Sequence, residues 1–243
     1  MYKKQRNCDP ADPADDHRGD YWDHVAFDPE HKLVLAVVPG ARTEENARTI
    51  VGEVARRVGC DPPPLMTSDE YPAYATAISE VFSEPVPAPP QRRASRPRVV
   101  PERRLPDEVI YATVHKHREN HCVVAVETRQ VFGSAEALED LLGESAVSRR
   151  VNTSFVERHN ATDRHRNARK ARKTYRFSKD WQVHEAMTYL TYYSYNFCWR
   201  VRTLRVKDEH GRWRERSPAM AAGLTDHVWT WLEWFTRPAF QSS

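Results

Sequence analysis

Residues 151–179 read VNTSFVERHNATDRHRNARKARKTYRFSK, and in this stretch Glu157 is followed by nine Arg or Lys residues and one Asp. We expect the run to be helical. A carboxylate at the head of a strongly basic helix indicates a metal-assisted site next to a surface that binds phosphates. The stretch therefore predicts chemistry on a polyanion, and it requires the fold to bring further carboxylates close to Glu157.

A second acidic position lies upstream, in residues 65–74, LMTSDEYPAY. A short apolar strand ends there at Asp69, and a helical pattern follows. Asp at a strand end and Glu on a helix are the residues that two-metal phosphodiester chemistry uses. Each also has a local alternative. Asp69 could cap the helix that follows it, and Ser154 with Glu157 has the spacing of a capping box.

Three segments together resemble the DDE transposases of bacterial insertion sequences, in particular the insertion-sequence-one class and its longer relatives. They are TSDEYPAY at 67–74, SFVERHN and RKTYRFSK within 154–179, and YNF, RTLR and SPAMAAGLTDHVW between 195 and 229. The resemblance covers most of the chain from about Tyr21 to Trp231. It implies an α/β fold with a ribonuclease-H-like mixed sheet flanked by helices. It also implies that Asp69 is the second Asp and Glu157 the Glu of the family's acidic triad.

The first Asp of that triad has no direct match. In the family it lies in a D-E-x-W strand just before a lysine-rich segment like YKKQRN at residues 2–7. Because the chain starts at Met1, we expect this strand and the N-terminal DNA-binding module to be missing, as in a truncated copy. Asp28 follows a strand pattern and is the candidate substitute. Its alternative is a role in a hairpin turn, which Asp and Pro favour.

The resemblance implies Mg²⁺ (or Mn²⁺) as cofactor, held by Asp69, Glu157 and one further carboxylate. Two such ions would polarise the scissile phosphate, activate water for strand cleavage and then activate the 3′ hydroxyl for strand transfer. With only two of three carboxylates matched, we expect Mg²⁺-dependent cleavage to be impaired. The alternative function is a catalytically inactive DNA-binding remnant of a transposase. A third carboxylate near Asp69 and Glu157 would decide between the two.

The basic run predicts contacts to the backbone of double-stranded DNA, at transposon ends and target. Nine cations with one acid repel one another unless an anion lies near, although a solvated charged face is the alternative. The predicted DNA-binding residues are Arg158, Asn160, Arg164, Arg166, Arg169, Lys170, Arg172, Lys173 and Lys179. Homo-oligomerisation stays open.

Five segments organise the chain: an acidic N-terminal remnant at 1–20, the first part of the catalytic core at 21–84, a Pro/Arg-rich connector at 85–107, an inserted hairpin and helix at 108–150, and the Glu157 helix with C-terminal helices at 151–243. The connector contains prolines and arginines that disfavour a packed core. It is either a plain linker or a basic strap along DNA.

Periodicity predicts the elements inside these segments. Strands at 21–27 and 32–38 form a hairpin, and helices follow at 43–58 and 71–82. A second hairpin pairs 108–114 with 121–127 around HKHREN. A long helix at 181–199 carries an apolar stripe, which comprises Trp181, Val183, Met187, Leu190, Tyr193 and Phe197.

Composition is that of a globular protein: 40% of the 243 residues are hydrophobic, 29% are charged, and the net charge is +3. The four cysteines are scattered and form no C-x-x-C pair, which favours reduced thiols. His115, His117, His121 and Cys122 do not have a standard zinc spacing, and a hairpin end explains them better. No apolar run approaches the ~20 residues of a membrane span, and no signal-peptide pattern opens the chain. We therefore expect a cytoplasmic, nucleoid-associated bacterial protein.

Overall fold

The computed structural model describes residues 8–9, 11, 21–59, 61–86, 102–120, 122–171 and 174–237. The chain divides into two compact units: unit 1 comprises Met1–Arg42 and Ser154–Ser243, and unit 2 comprises Thr43–Thr153. The protein is α/β, with a mixed sheet and flanking helices, as expected. The ribonuclease-H-like arrangement stays a prediction. The unit boundary divides the predicted segment 21–84, because residues 21–42 belong to unit 1 and the rest to unit 2.

The strands are β1 (Trp22–Asp28), β2 (Leu33–Gly40), β3 (Met66–Asp69), β4 (Glu84–Pro85), β5 (Arg103–Arg104), β6 (Tyr111–Glu119), β7 (Cys122–Phe132), β8 (Val206–Lys207) and β9 (Trp213–Arg214). The helices are α1 (Glu44–Arg57), α2 (Pro72–Phe82), α3 (Ala135–Glu144), α4 (Ser154–Arg166), α5 (Trp181–Cys198), α6 (Pro218–Ala221) and α7 (Trp231–Thr236), with a 3₁₀ turn at Arg202–Leu204. None of the helices in these described parts is both long and apolar enough to cross a bilayer.

Unit 1 is built on the predicted first hairpin. Strands β1 and β2 pair antiparallel, from Trp22 opposite Gly40 to Asp28 opposite Leu33. The face of β2 that carries Val34 and Val37 packs on Tyr192 and Tyr195 of α5, and these four residues form the buried core of the unit. The hairpin therefore depends on a helix far along the chain, because two strands alone are marginally stable in water.

Helix α5 covers the core as predicted, but the apolar stripe is not its most buried face. None of its six residues is fully buried, and Val183 is 40% exposed. The buried face carries Thr188, Thr191, Tyr192 and Tyr195, which recur at helical spacing. This face packs on the hairpin and on the buried Asp163 carboxylate, to which Thr191 donates a hydrogen bond that an aliphatic side chain could not make.

Unit 2 contains the mixed sheet, in the order β3-β6-β7. Strand β3 runs parallel to β6, so that Asp69 lies opposite Val114, and β7 returns antiparallel to β6. Helix α1 begins as predicted behind Thr43, whose side chain accepts the Asn46 N–H at 3.2 Å, and it packs against α2. A separate apolar cluster joins Ile110, Ala112, Val114, Leu138 and Val151.

The second hairpin is longer than predicted. Its strands include HKHRE, and the reversal is confined to the residues around Asn120, which has a φ of 47°. Asn tolerates this left-handed conformation better than most residues, so it permits the tight turn. Residue His121, part of the rejected zinc pattern, lies outside the described residues. So does most of the Pro/Arg-rich connector, of which β4 and β5 are the paired ends.

Candidate functional site

The basic run after Glu157 is not one helix. Helix α4 ends at Arg166, and the segment beyond it turns. The cause is Asn167, which is 3% exposed: its side-chain oxygen accepts the Arg169 N–H at 3.0 Å, and its carbonyl accepts the Lys170 N–H at 2.9 Å. These local bonds compete with helix continuation. The cations therefore follow a bent path.

Glu157 lies in the first turn of α4 with an exposed side chain. The helix includes Ser154 as its first residue and so begins one residue earlier than a capping role for Ser154 requires, a difference within the usual uncertainty of helix ends. Asn160, predicted to contact DNA, is partly buried, and its side-chain oxygen accepts the Tyr192 hydroxyl at 3.1 Å. Asn160 thus joins α4 to α5.

Four of the predicted DNA-binding cations have exposed side chains: Arg158, Arg164, Arg169 and Lys179. Arg166 is different, because its guanidinium lies 4.5 Å from the Trp199 ring and 5.5 Å from the Tyr195 ring and donates to the Thr191 carbonyl at 3.2 Å. Its planar group therefore packs between two rings. Arg172 and Lys173 lie outside the described residues.

Lys170 is not on the surface, contrary to its predicted DNA contact. Its ammonium lies 2.8 Å from Asp23 Oδ2 and 3.0 Å from Asp163 Oδ2, and the side chain is only 8% exposed. Thr191 donates to the other Asp163 oxygen at 2.7 Å. Burial alone would raise the pKa of Asp23, but the neighbouring His184 imidazole and the Lys170 ammonium outweigh burial and lower it. This buried group of charges is structural, and the Lys170 ammonium is engaged within it by Asp23 and Asp163.

His159 lies beside that group as an aromatic packing residue. It is 5% exposed, stacks on Phe27 at a ring separation of 4.9 Å and meets Tyr195 edge-on at 4.5 Å. Burial, helped by the positive charge of Arg166, lowers the pKa of His159 to about 4. The imidazole is therefore neutral at physiological pH.

Asp28 occupies the hairpin turn. Its Oδ1 accepts the Glu30 N–H at 2.8 Å, and its Oδ2 lies 2.6 Å from His31 Nδ1. Both oxygens are thus engaged by the turn itself, which favours the local role over that of the third metal ligand.

Asp69 ends β3, as predicted, with an exposed side chain. Its Oδ1 accepts the Tyr71 N–H at 3.3 Å, one residue before α2 starts at Pro72. The carboxylate therefore stabilises the turn into α2. This bond goes to the residue before the helix and not to an N–H group of its first turn. Asp69 belongs to unit 2 and Glu157 to unit 1.

Sequence reasoning missed a cluster of charges at Glu70, the residue after Asp69. Glu70 pairs with His115 and, at 3.1 Å, with Arg129, which also contacts Glu127 at 2.9 Å. Glu70 and Arg129 line an open cleft of about 560 Å³ together with Tyr111. The pairing of β6 with β7 creates this cluster, and no local sequence signal marks it.

Mg²⁺ or Mn²⁺ as cofactor stays a prediction. Within the described ranges, no group of three His, Cys, Asp or Glu side chains is placed to hold an ion. Hard cations such as Mg²⁺ need several oxygen ligands. Cys122 and Cys198 are free thiols, as expected for two of the four cysteines.

Comparison of the chain with protein-family models, with curated proteins and with solved structures gives no match. The functional interpretation therefore rests on the residues and their geometry.

Proposed function

We propose that this protein acts on DNA as a transposase of the insertion-sequence type, with a ribonuclease-H-like core. Unit 1 binds duplex DNA, and Asp69 and Glu157 are the candidate catalytic residues for metal-dependent strand cleavage and strand transfer. The observation that carries the proposal is the arrangement of α4: an exposed glutamate in its first turn, followed by exposed arginines that continue past the helix end.

The charge of this surface supports DNA as the ligand. Arg158 and Arg164 on α4 and Arg169 in the following turn are exposed, while the acid among them, Asp163, is 3% exposed and paired with Lys170. This pairing withdraws Asp163 and Lys170 together, and the exposed arginines leave the surface with an excess of positive charge. Phosphate groups neutralise such a surface and release counterions.

The acidic residues support phosphodiester chemistry more weakly than the arginines support DNA binding. Asp69 stands at the carboxyl end of a strand that runs parallel to its neighbour, the position at which α/β sheets commonly carry functional groups. A second candidate function is DNA binding without chemistry. The engagement of Asp28 by its own turn favours it, since this removes the one substitute for the third carboxylate.

Duplex binding is tested by the salt dependence of affinity. The Arg158→Ala, Arg164→Ala, Arg169→Ala triple variant should reduce the slope of log affinity against log salt by up to ~0.9 for each arginine–phosphate pairing that it removes. A matched triple variant of α1, at Arg48, Arg56 and Arg57, replaces helical arginines that contact Glu80 or Glu53; it should leave the slope unchanged. Equal effects of both variants would contradict the proposed surface.

The chemistry is tested separately, on pre-nicked transposon-end DNA with Mg²⁺ or Mn²⁺. Asp69→Asn and Glu157→Gln should each abolish strand transfer and keep duplex affinity. Robust binding with no turnover by the unaltered chain would establish the second candidate function. Turnover that survives both substitutions would remove these two residues from the catalytic role.

A further inference from the structure

The hairpin formed by β8 and β9 carries an unusual set of side chains. Residues 199–216 contain seven Arg or Lys residues and three Asp or Glu residues. Trp213 on β9 is 54% exposed, and it lies directly across from Lys207 on β8. An indole with this exposure, surrounded by cations, is neither a core residue nor an ordinary solvated side chain.

The cations are placed on the ring itself. The Arg205 guanidinium carbon lies 4.2 Å from the Trp213 ring centroid, and Lys207 Nζ lies 5.4 Å from it. Lys207 is the cross-strand partner of Trp213, so the two side chains share one face of the hairpin, and Arg205, just before β8, reaches the same ring. Two like charges are thus held close together over one aromatic ring, an arrangement that an added anion would stabilise.

The acids of the hairpin are used elsewhere. Glu215 contacts Arg200 at 3.6 Å, Asp208 contacts Arg212 at 3.4 Å, and Glu209 lies 3.8 Å from His210. Within the part of the chain that the structure describes, Arg202, Arg205 and Lys207 have no carboxylate partner. Among the residues that the structure describes, no carboxylate therefore neutralises the positive charge next to Trp213.

The hairpin is also well ordered by its own turn. Asp208 Oδ1 accepts the backbone N–H groups of His210 and Arg212 at 2.9 and 2.8 Å, and Gly211 adopts a φ of 74°. Arg216 ties the base of the hairpin to the Leu204 carbonyl at 2.7 Å. The indole is thus presented on a preorganised support, which lowers the entropy cost of binding.

We propose that Trp213, with Arg205 and Lys207, forms a binding site for unpaired nucleotides of single-stranded DNA. A base stacks on the exposed indole, and the two cations bind the phosphates on either side of it. A flat apolar ring combined with several unneutralised cations is the combination that sequence-tolerant single-strand binding uses. The choice of DNA rests on the proposed function, but the site and its ligand are distinct from the duplex surface of α4.

The test measures binding of a labelled oligo(dT) single strand and of a duplex to the full chain. Trp213→Ala should weaken oligo(dT) binding by about 10-fold, the loss expected for one stacked base. Trp213→Phe should retain most of the affinity because it keeps an aromatic face. Trp231→Ala is the matched control: Trp231 is 50% exposed and stacks on Phe235, and no described cation lies over its ring.

The charge contribution is tested by Arg205→Ala with Lys207→Ala, which should flatten the salt slope for oligo(dT) by about 1.4, or ~0.7 for each phosphate that is no longer neutralised. Unchanged oligo(dT) affinity of Trp213→Ala, or an equal loss in Trp231→Ala, would overturn the proposal. So would competition by poly-glutamate as strong as that by oligo(dT), or Trp213-dependent binding to phosphatidylserine vesicles in place of oligo(dT).

Loss of duplex binding in the α4 triple variant with oligo(dT) binding intact would separate this site from the duplex surface. If the α4 variant leaves duplex binding unchanged, the proposed duplex surface is contradicted, while the proposal for the hairpin site is unaffected.

Discussion

Lys170 Nζ lies 3.0 Å from Asp163 Oδ2, and the two side chains are 8% and 3% exposed. With Asp23 they form a buried charge group that connects β1 to the segment after α4. A buried ion pair is costly to break, because removal of one partner leaves the other charge without compensation.

Lys170→Met should therefore destabilise the protein by about 3–5 kcal/mol. The adjacent Arg169→Met is the control and should change the free energy of unfolding by less than about 0.5 kcal/mol, since Arg169 is exposed. Urea denaturation measures both. A small loss for Lys170→Met would mean that the ammonium is available to phosphates after all.

His159 makes the stability of unit 1 depend on pH. Its pKa is about 4 in the folded protein, below its ordinary value of 6.5. Between these two pH values the unfolded chain therefore binds a proton at His159 and the folded chain does not. Stability is complete above pH 6.5 and is lost as pH falls from 6.5 towards 4. This one group should cost about 2 kcal/mol between pH 7.5 and pH 5.

His159→Phe keeps the stacking with Phe27 and removes the titration. Denaturation midpoints of this variant should fall less between pH 7.5 and pH 5 than those of the unaltered protein. The hypothesis fails if both proteins lose the same stability over that interval.

Asn196 fixes α5 to the backbone of β2. Its side chain accepts the Val34 N–H and donates to the Val34 carbonyl, both at 2.9 Å, and it is 4% exposed. Asn196→Ala leaves two buried backbone groups unsatisfied, at a cost of about 1–3 kcal/mol each.

Thr188 on the same helix gives the opposite case. It is fully buried, and its hydroxyl has no hydrogen-bond partner among the described residues. Thr188→Val should be neutral or should stabilise the fold by about 1 kcal/mol, because an unsatisfied polar group is replaced by a methyl of similar size. Thermal unfolding of the two variants should shift in different directions. A shift of Asn196→Ala as small as that of Thr188→Val would show that the bonds to Val34 contribute little.

Two glycines of unit 2 should respond in opposite ways to alanine. At Gly133, φ is +86° and an added Cβ would lie 2.8 Å from Ile110 Cγ1, so Gly133→Ala should cost about 1–3 kcal/mol. At Gly52, inside α1, nothing lies within 4 Å of an added Cβ, and Gly52→Ala should stabilise the helix by about 0.5–1 kcal/mol. Chemical denaturation measures both, and a neutral Gly133→Ala would show that the turn after β7 can relax.

Local patterns predicted the elements better than the contacts between them. The first hairpin, α1 behind its Thr43 cap and the strand that ends at Asp69 all follow from β-branched runs, helical spacing and capping residues. The buried face of α5 could not be read in this way. Two of its residues, Thr191 and Tyr192, are buried where Asp163 and Asn160, on another helix, accept their hydroxyl groups.

The candidate site shows the same limit. Exposure of Arg158 and Arg164 agrees with their place in a charged run, whereas Lys170 is indistinguishable from its neighbours in sequence and yet buried. Its orientation is explained by its two carboxylate partners, Asp163 and, 147 residues upstream, Asp23. Likewise, the clustering of Arg205 and Lys207 on Trp213 depends on the register between two strands of two residues each, which are too short for periodicity to detect.

Unit 1 is assembled from two distant parts of the chain, and this affects how the protein is made. Val34 and its partner Asn196 are 162 residues apart. At a synthesis rate of ~5–20 residues per second, Asn196 is added on the order of 10–30 s after Val34. All of unit 2 is synthesised in between, and it can fold while the first hairpin still exposes Val34 and Val37. Throughout that interval the nascent hairpin is a natural client for a chaperone.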